Sequence, residues 1–201
     1  MNPALVPVPD RMQQLPRDRR GYPIPKIVLL DDHGLPHFTI NDTRVVLALA
    51  RADACHICGE RLGAHKWFVG GPLSALHHAG AYRDGPMHRE CGQYALKVCP
   101  YLSRANAWSK RIGDKTLRPG ALKEAVVFED PTVSPDQPSV FAFADCAAYA
   151  LGRGVFHPIR PWREVQFWRD GAQITSEAAR QMLAADPRFS EIDHWWKEKS
   201  P

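Results

Sequence analysis

Apolar and polar positions along this chain change period several times, and each change marks an element. Residues 26–30 (KIVLL) are a short apolar run, 31–36 (DDHGLP) hold turn formers, and 37–40 (HFTI) return to a β-prone pattern, so a hairpin is expected. Asn41 or Asp42 stands where a helix N-cap belongs, and Val46, Leu47 and Ala50 share one helical face over 43–51. A strand is expected at 66–69 (KWFV), closed by Gly70-Gly71-Pro72, with a helical turn over 73–78. Gly85-Pro86 reads as the opening of a helix, with proline at its favoured first position. Cys91, Tyr94, Ala95 and Val98 follow the i, i+3, i+4, i+7 pattern, and Pro100 ends that helix. Further strands are expected at 125–128, 139–143 and 162–168, then an Asp170-Gly171 turn and a helix over 176–185. A last helix begins at Ser190 and reaches Lys199.

Composition bears on how these elements combine. The 18 prolines and 14 glycines among 201 residues favour many turns and short elements. Six of the prolines fall in the first 25 residues, which read as an extended Pro-rich arm, partly disordered or packed on the surface. The expected organisation is an arm (1–25), a zinc-binding treble-clef-like module (26–103) that includes the N-terminal β-hairpin, and a C-terminal mixed β/α region (104–201). The fold class is α+β. The N-terminal stretch has prolines where a signal peptide needs an apolar helix. The longest apolar runs, 45–50 and 140–151 (the second broken by Asp145), fall well short of the ~20 residues of a membrane helix. The expectation is a cytoplasmic protein with no membrane partner and no indicated small-molecule substrate. A formal net charge of +4 permits nucleic-acid contact without requiring it.

The five cysteines change the picture most. Cys55 and Cys58 form a CxxC pair followed by Gly59, and about 30 residues on come His88 and Cys91, three apart at the expected start of a helix. A CxxC turn lets two sulfurs face one point, and an i, i+3 pair shares one helix face. The helix N-terminus also favours thiolate charge. Two thiolates from a knuckle, plus an imidazole and a thiolate from a helix, make a closed tetrahedral zinc site. Structural Zn2+ held by Cys55, Cys58, His88 and Cys91 is therefore expected. His56, His65, His77, His78 and Cys99 are alternative ligands. A thioredoxin-like use of Cys55 and Cys58 would need a βαβ context that the sequence lacks. Cys146, in an apolar run, reads as core.

The order GYPIP (21–25), CHICG (55–59), FVGGPLS (68–74), GPMHREC (85–91), CPYL (99–102) and EVQFWRDGAQITSEAA (164–179) resembles a group of uncharacterised bacterial and phage proteins. Those carry CxxCG, FV-x-GP, a PPxHxxCA helix, CPFL and a closing VEWxxxGRPAT strand-turn-helix. The chain departs in having Gly85 before Pro86 and DGAQIT in the closing segment, neither of which touches the four ligands. The resemblance implies phage or mobile-element biology and supplies no mechanism.

With four protein ligands the metal has no open position for chemistry, so the expected function is non-enzymatic binding of nucleic acid or of a host protein. Arg104, Lys110, Arg111, Lys115 and Arg118, interleaved with Trp108, are candidate phosphate contacts. A second basic-aromatic stretch, 160–169, is better read as a strand facing a core. An HNH-type nuclease using His77 or His78 is an alternative, but the acidic-histidine dipeptide and the helix histidine of that class are missing. His88-Arg89-Glu90 superficially matches the HxE of zinc deaminases, yet the CxxC precedes it instead of following. A protein that inhibits a host factor is the remaining alternative, for which exposed Trp195-Trp196 would be an anchor, although these are better read as a helix packing its tryptophans on the body.

Overall fold

The structure, a computed structural model, describes residues 5–77, 80–103, 140–152, 154–186 and 189. The expected hairpin is present as β1 (Val28–Leu30) and β2 (Pro36–Asn41), a two-stranded antiparallel sheet with an irregular register after Val28. Asp42 then caps α1 (Thr43–Arg51), its carboxylate accepting the backbone N–H groups of Arg44 and Val45. These are two of the donors a helix start leaves unpaired.

The centre of the molecule is a four-stranded antiparallel sheet in the order β3-β4-β7-β8. Its strands are β3 (Lys66–Gly70), β4 (Phe141–Cys146), β7 (Glu164–Arg169) and β8 (Ala172–Ile174). Asp170 and Gly171 both take positive φ between β7 and β8, as a two-residue hairpin turn requires. β4 pairs on both sides, Phe68 with Ala144 and Ala144 with Val165, and all six of its residues are buried. One face of the sheet, carrying Trp67, Val69, Phe141, Phe143 and Trp168, packs with α3 (Arg89–Val98). Ala142 and Phe167 on the other face meet α2 (Pro72–Leu76) and α5 (Ser176–Ala184) through Ala75, Leu76, Ala179 and Leu183. Beside them Phe68 and Cys146 contact Val46, Tyr82 and Phe156. The chain thus has helices and antiparallel sheets in an α+β arrangement.

Four expectations change. The first concerns the arm, expected to be partly disordered or packed on the surface: over residues 5–25 most side chains do lie at the surface, but a 3-10 turn at Asp10–Met12 sinks Met12, and Leu15 joins it in the core cluster that includes α3. Next, the described strands after residue 103 do not stand apart from 26–103, because β3 of the earlier segment hydrogen-bonds along its length to β4 of the later one. The α3 helix begins at Arg89 and not at Pro86, because Met87 is taken into a bridge with Trp67 (N···O 2.9 and 3.1 Å) and the Pro86 carbonyl accepts the His56 N–H. Finally, Pro100 ends α3 as expected, with Cys99 extended, but it also opens a further short helix, α4 (Pro100–Ser103). The hairpin of β5 (Tyr149–Gly152) and β6 (Val155–Pro158) was not expected; Phe156 fastens it through a reciprocal backbone bridge to Tyr82. The strand expected at 125–128 and the helix expected from Ser190 lie outside the described residues.

Candidate metal centre

Two backbone devices bring the four donors together. The first is a tight reversal between Ala54 and Arg61, which bridge each other. Within it the Cys55 N–H reaches Glu60 O and the Gly59 N–H reaches Cys55 O, both at 2.8 Å. Gly59 takes φ +83°, a conformation that L side chains resist, so glycine closes this turn. The Lys26 N–H ties the knuckle to the segment before β1 by bonding Ile57 O at 2.9 Å. The second device is the start of α3. His88 occupies the N-cap position in an extended conformation and Cys91 lies in the first turn. Gly92 then allows the helix to approach the sheet: a methyl there would stand 2.5 Å from the Phe143 ring.

The donor atoms of Cys55, Cys58, His88 and Cys91 all lie within 4.8 Å of one another. A tetrahedral zinc ion with Zn–S about 2.3 Å and Zn–N about 2.0 Å separates its donors by about 3.5–3.8 Å, so this set fits such an ion. The three sulfurs are buried and the imidazole half-buried. His88 turns Nδ1 toward Cys58 Sγ at 3.3 Å, while Nε2 lies 3.1 Å from the carbonyl of Arg61. Donation of Nε2–H to that carbonyl leaves the Nδ1 lone pair pointing at the thiols, which is how metal-bound histidines are commonly oriented. The His88 N–H also points at Cys55 Sγ, 3.4 Å away.

The electrostatics favour a cation here. Burial opposes a charged Cys55, yet donation from Cys58, Cys91 and His88 outweighs it and drives the thiol far below its usual range. Contact with Cys55 and then Cys58 pushes Cys91 far upward in consequence. The same two sulfurs raise His88 to about 10. The Cys55 thiolate thus forms at the expense of Cys91, and a divalent cation would let the two ionise together. Around the donors, Arg11 from the N-terminal segment joins the two ligand loops by pairing with Glu60 and, at 2.7 Å, with Glu90.

The alternative ligands are placed elsewhere. His56 is fully buried, its Nδ1 accepts the Gly85 N–H at 3.2 Å, and its ring meets Phe156 edge-on. Burial pushes it down to about 4, so it is a neutral packing group. Cys99 lies at the far end of α3, outside the donor group. Cys146 is in the core, as its apolar surroundings implied, with Sγ 3.1 Å from Ala148 O. His77 follows α2, and its carbonyl accepts from Arg160. His65 contacts Asp145, a pairing that spacing could not reveal across 80 residues; the one signal was an aspartate breaking an apolar run. His78, Trp195, Trp196 and the basic residues Arg104, Lys110, Arg111, Lys115 and Arg118 lie outside the described residues. Among the described residues no helix is long and apolar enough to cross a membrane. Comparison with family models, with curated proteins and with solved structures finds no match to this chain.

Proposed function

We propose that this is a zinc-stabilised binding protein, non-enzymatic, whose metal holds the fold and whose work is done on the surrounding surface. The observation that carries this reading is the convergence of four protein donors, three of them buried thiols, on one point. Three thiolates and an imidazole suit Zn2+ and fill a tetrahedral shell, leaving no position for a reacting water. A knuckle followed by a strand and then a helix whose first turn carries the second ligand pair is a treble-clef-like order. The proposed partner is nucleic acid, supported by the net positive charge and the basic segment 104–118. A phage or mobile-element role follows from the motif resemblance.

Elemental analysis of the purified protein is expected to give about one zinc per chain, falling to none in Cys58→Ser. A zinc-free protein that folds normally refutes the structural-metal reading. Binding to labelled oligonucleotides is expected to weaken steeply as salt rises. Absence of binding at low salt refutes the nucleic-acid partner and leaves a host protein as the target.

A further inference from the structure

The N-terminal segment meets the donor group from two directions. Its leading part folds into the 3-10 turn Asp10–Met12, closed by the Met12 N–H to Pro9 O at 2.8 Å and the Gln13 N–H to Asp10 O at 3.1 Å. The Gln13 side chain adds a bond to Val8 O at 2.8 Å. Met12 and Leu15 enter the apolar cluster that holds Cys55, Cys58 and Cys91, while the Arg11 side chain stays outside. The trailing part then reverses, with Arg17 and Pro23 bridged and the Asp18 carboxylate accepting the N–H groups of Arg20 and Tyr22. It ends on the knuckle itself, where the Lys26 and Ile27 N–H groups bond Ile57 O and His56 O at 2.9 and 3.3 Å.

Arg11 crosses the gap between the two ligand loops. Glu60 directly follows Gly59 of the knuckle, and its carbonyl holds the Cys55 N–H. Glu90 lies between the donors His88 and Cys91 in the first turn of α3. One guanidinium serves both carboxylates, Nη1 donating to Glu60 and Nε to Glu90 at 2.7 Å. Without it, two like charges, one on each loop, would face each other and push the loops apart. The three thiols are buried, and His88 is the half-buried member of the set. An ion so enclosed can leave in two ways: the knuckle parts from α3, or a competing ligand reaches the ion past His88. The first way breaks both Arg11 pairs at once, and the second breaks neither.

We propose that the segment from Val8 to Ile27 is a clasp that controls metal exchange, with Arg11 as the positioning residue that latches the two ligand loops together. The inference rests on the zinc reading above and adds how the ion is retained. Exposed pairs such as those of Arg11 contribute little to overall stability and are screened by salt, so the latch acts on local opening of the loops. Met12 and Leu15, buried and apolar, hold the segment in place whatever the salt concentration. Retention is therefore divided between a salt-sensitive latch and a salt-insensitive anchor.

The test uses the full-length zinc-loaded protein and follows zinc transfer to excess pyridylazoresorcinol by absorbance, at low salt and at about 0.5 M salt. Arg11→Ala, at an exposed position, is expected to release zinc about fivefold faster at low salt, the ratio falling toward one at the higher salt. Arg11→Lys, which keeps the charge but not the fork that reaches both carboxylates, should lie between. Met12→Ala should speed release at both salt concentrations. Asp42→Ala, which loosens the far end of α1 without touching the segment, should leave the rate unchanged. The proposal is overturned if Arg11→Ala releases zinc at the wild-type rate, which would send the ion out past His88 with the loops closed. It is also overturned if Asp42→Ala speeds release as much as Arg11→Ala, because general loss of stability then explains both. Purified protein without zinc overturns the metal reading and the clasp together, whereas zinc that is bound but released without regard to Arg11 overturns the clasp alone.

Discussion

Gly92→Ala should destabilise this protein, although the same change in most helices is favourable. Gly92 lies inside α3, where alanine gains about 1 kcal/mol over glycine from the entropy of the unfolded chain. Against this stands the sheet. A Cβ at position 92 would lie 2.5 and 2.6 Å from two ring carbons of Phe143 and 3.0 Å from the sulfur of Met87. Carbon atoms in contact prefer about 3.5–4.0 Å, so ring and helix must part by about 1 Å. Phe143 has no accessible surface and its ring is stacked against Trp67, centroids 4.5 Å apart, so the ring has little room to yield. The helix must lift instead, carrying Cys91 and His88 with it. Overpacking of this kind costs about 1–3 kcal/mol, which leaves a net loss of up to about 2 kcal/mol once the helix gain is subtracted. Urea denaturation of the metal-loaded protein reads this as a lower midpoint at unchanged slope. Phe143→Leu trims the obstructing ring and should couple favourably with Gly92→Ala, by about 0.5 kcal/mol or more in a double-mutant cycle. A Gly92→Ala protein as stable as wild type, or more so, would show that α3 does not press on the sheet as described.

Two further perturbations separate other contributions. Burial works against ionised Asp42, but donation from the Arg44 side chain and from the N–H groups of Arg44 and Val45 prevails and holds its carboxyl below the usual range. A depressed carboxyl contributes stability that is present above its unfolded value of about 3.9 and lost as pH falls through the folded value. Asp42→Ala is therefore expected to cost about 1 kcal/mol near neutrality, the difference closing only below about pH 4; a gap that closes between pH 7 and 5 would contradict the assignment. In the N-terminal segment, Arg11 and its partners are all 43–50% exposed, whereas Met12 is 2% exposed. Arg11→Ala should cost no more than about 1 kcal/mol and vanish in high salt, while Met12→Ala should cost about 2–5 kcal/mol, both read by denaturant midpoints. The reverse order would mean that charge, not burial, holds the segment down.

The parts of the fold that were legible in the sequence are those governed by local chemistry. Asn41-Asp42 announced the start of α1, Asp170-Gly171 announced the β7–β8 turn, and the CxxC with the HxxC pair announced a donor group that the structure brings within 4.8 Å. What stayed hidden depends on distant partners. Pro86 looked like the first residue of a helix, but Met87 and the Pro86 carbonyl are claimed by Trp67 and His56, so α3 starts later. The arm showed no core face because prolines broke its periodicity, although Met12 and Leu15 are buried in the core with Val6, Val8 and Tyr22 packed against it. The β5–β6 hairpin carries glycine in its turn and proline at its end, and only Phe156 is deeply buried, so no alternation marks it. His65 and Asp145 are a pair only because β3 and β4 are neighbours.

That last dependence bears on what a bound cation would do for the whole molecule. Cys55, Cys58 and Cys91 belong to the same buried cluster as Trp67, Phe143 and Trp168 of the central sheet and Met12 and Leu15 of the N-terminal segment. An ion at the donors would therefore not stabilise a detachable module but the junction at which knuckle, α3, sheet and N-terminal segment meet. Without it, ionisation of Cys55 is opposed by burial and comes at the expense of Cys91 inside that junction. Burying such a frustrated group weakens the packing that surrounds it. Metal occupancy and the integrity of the sheet would thereby be linked, and the linkage would reach the His65–Asp145 pair, which forms only while β3 and β4 remain paired.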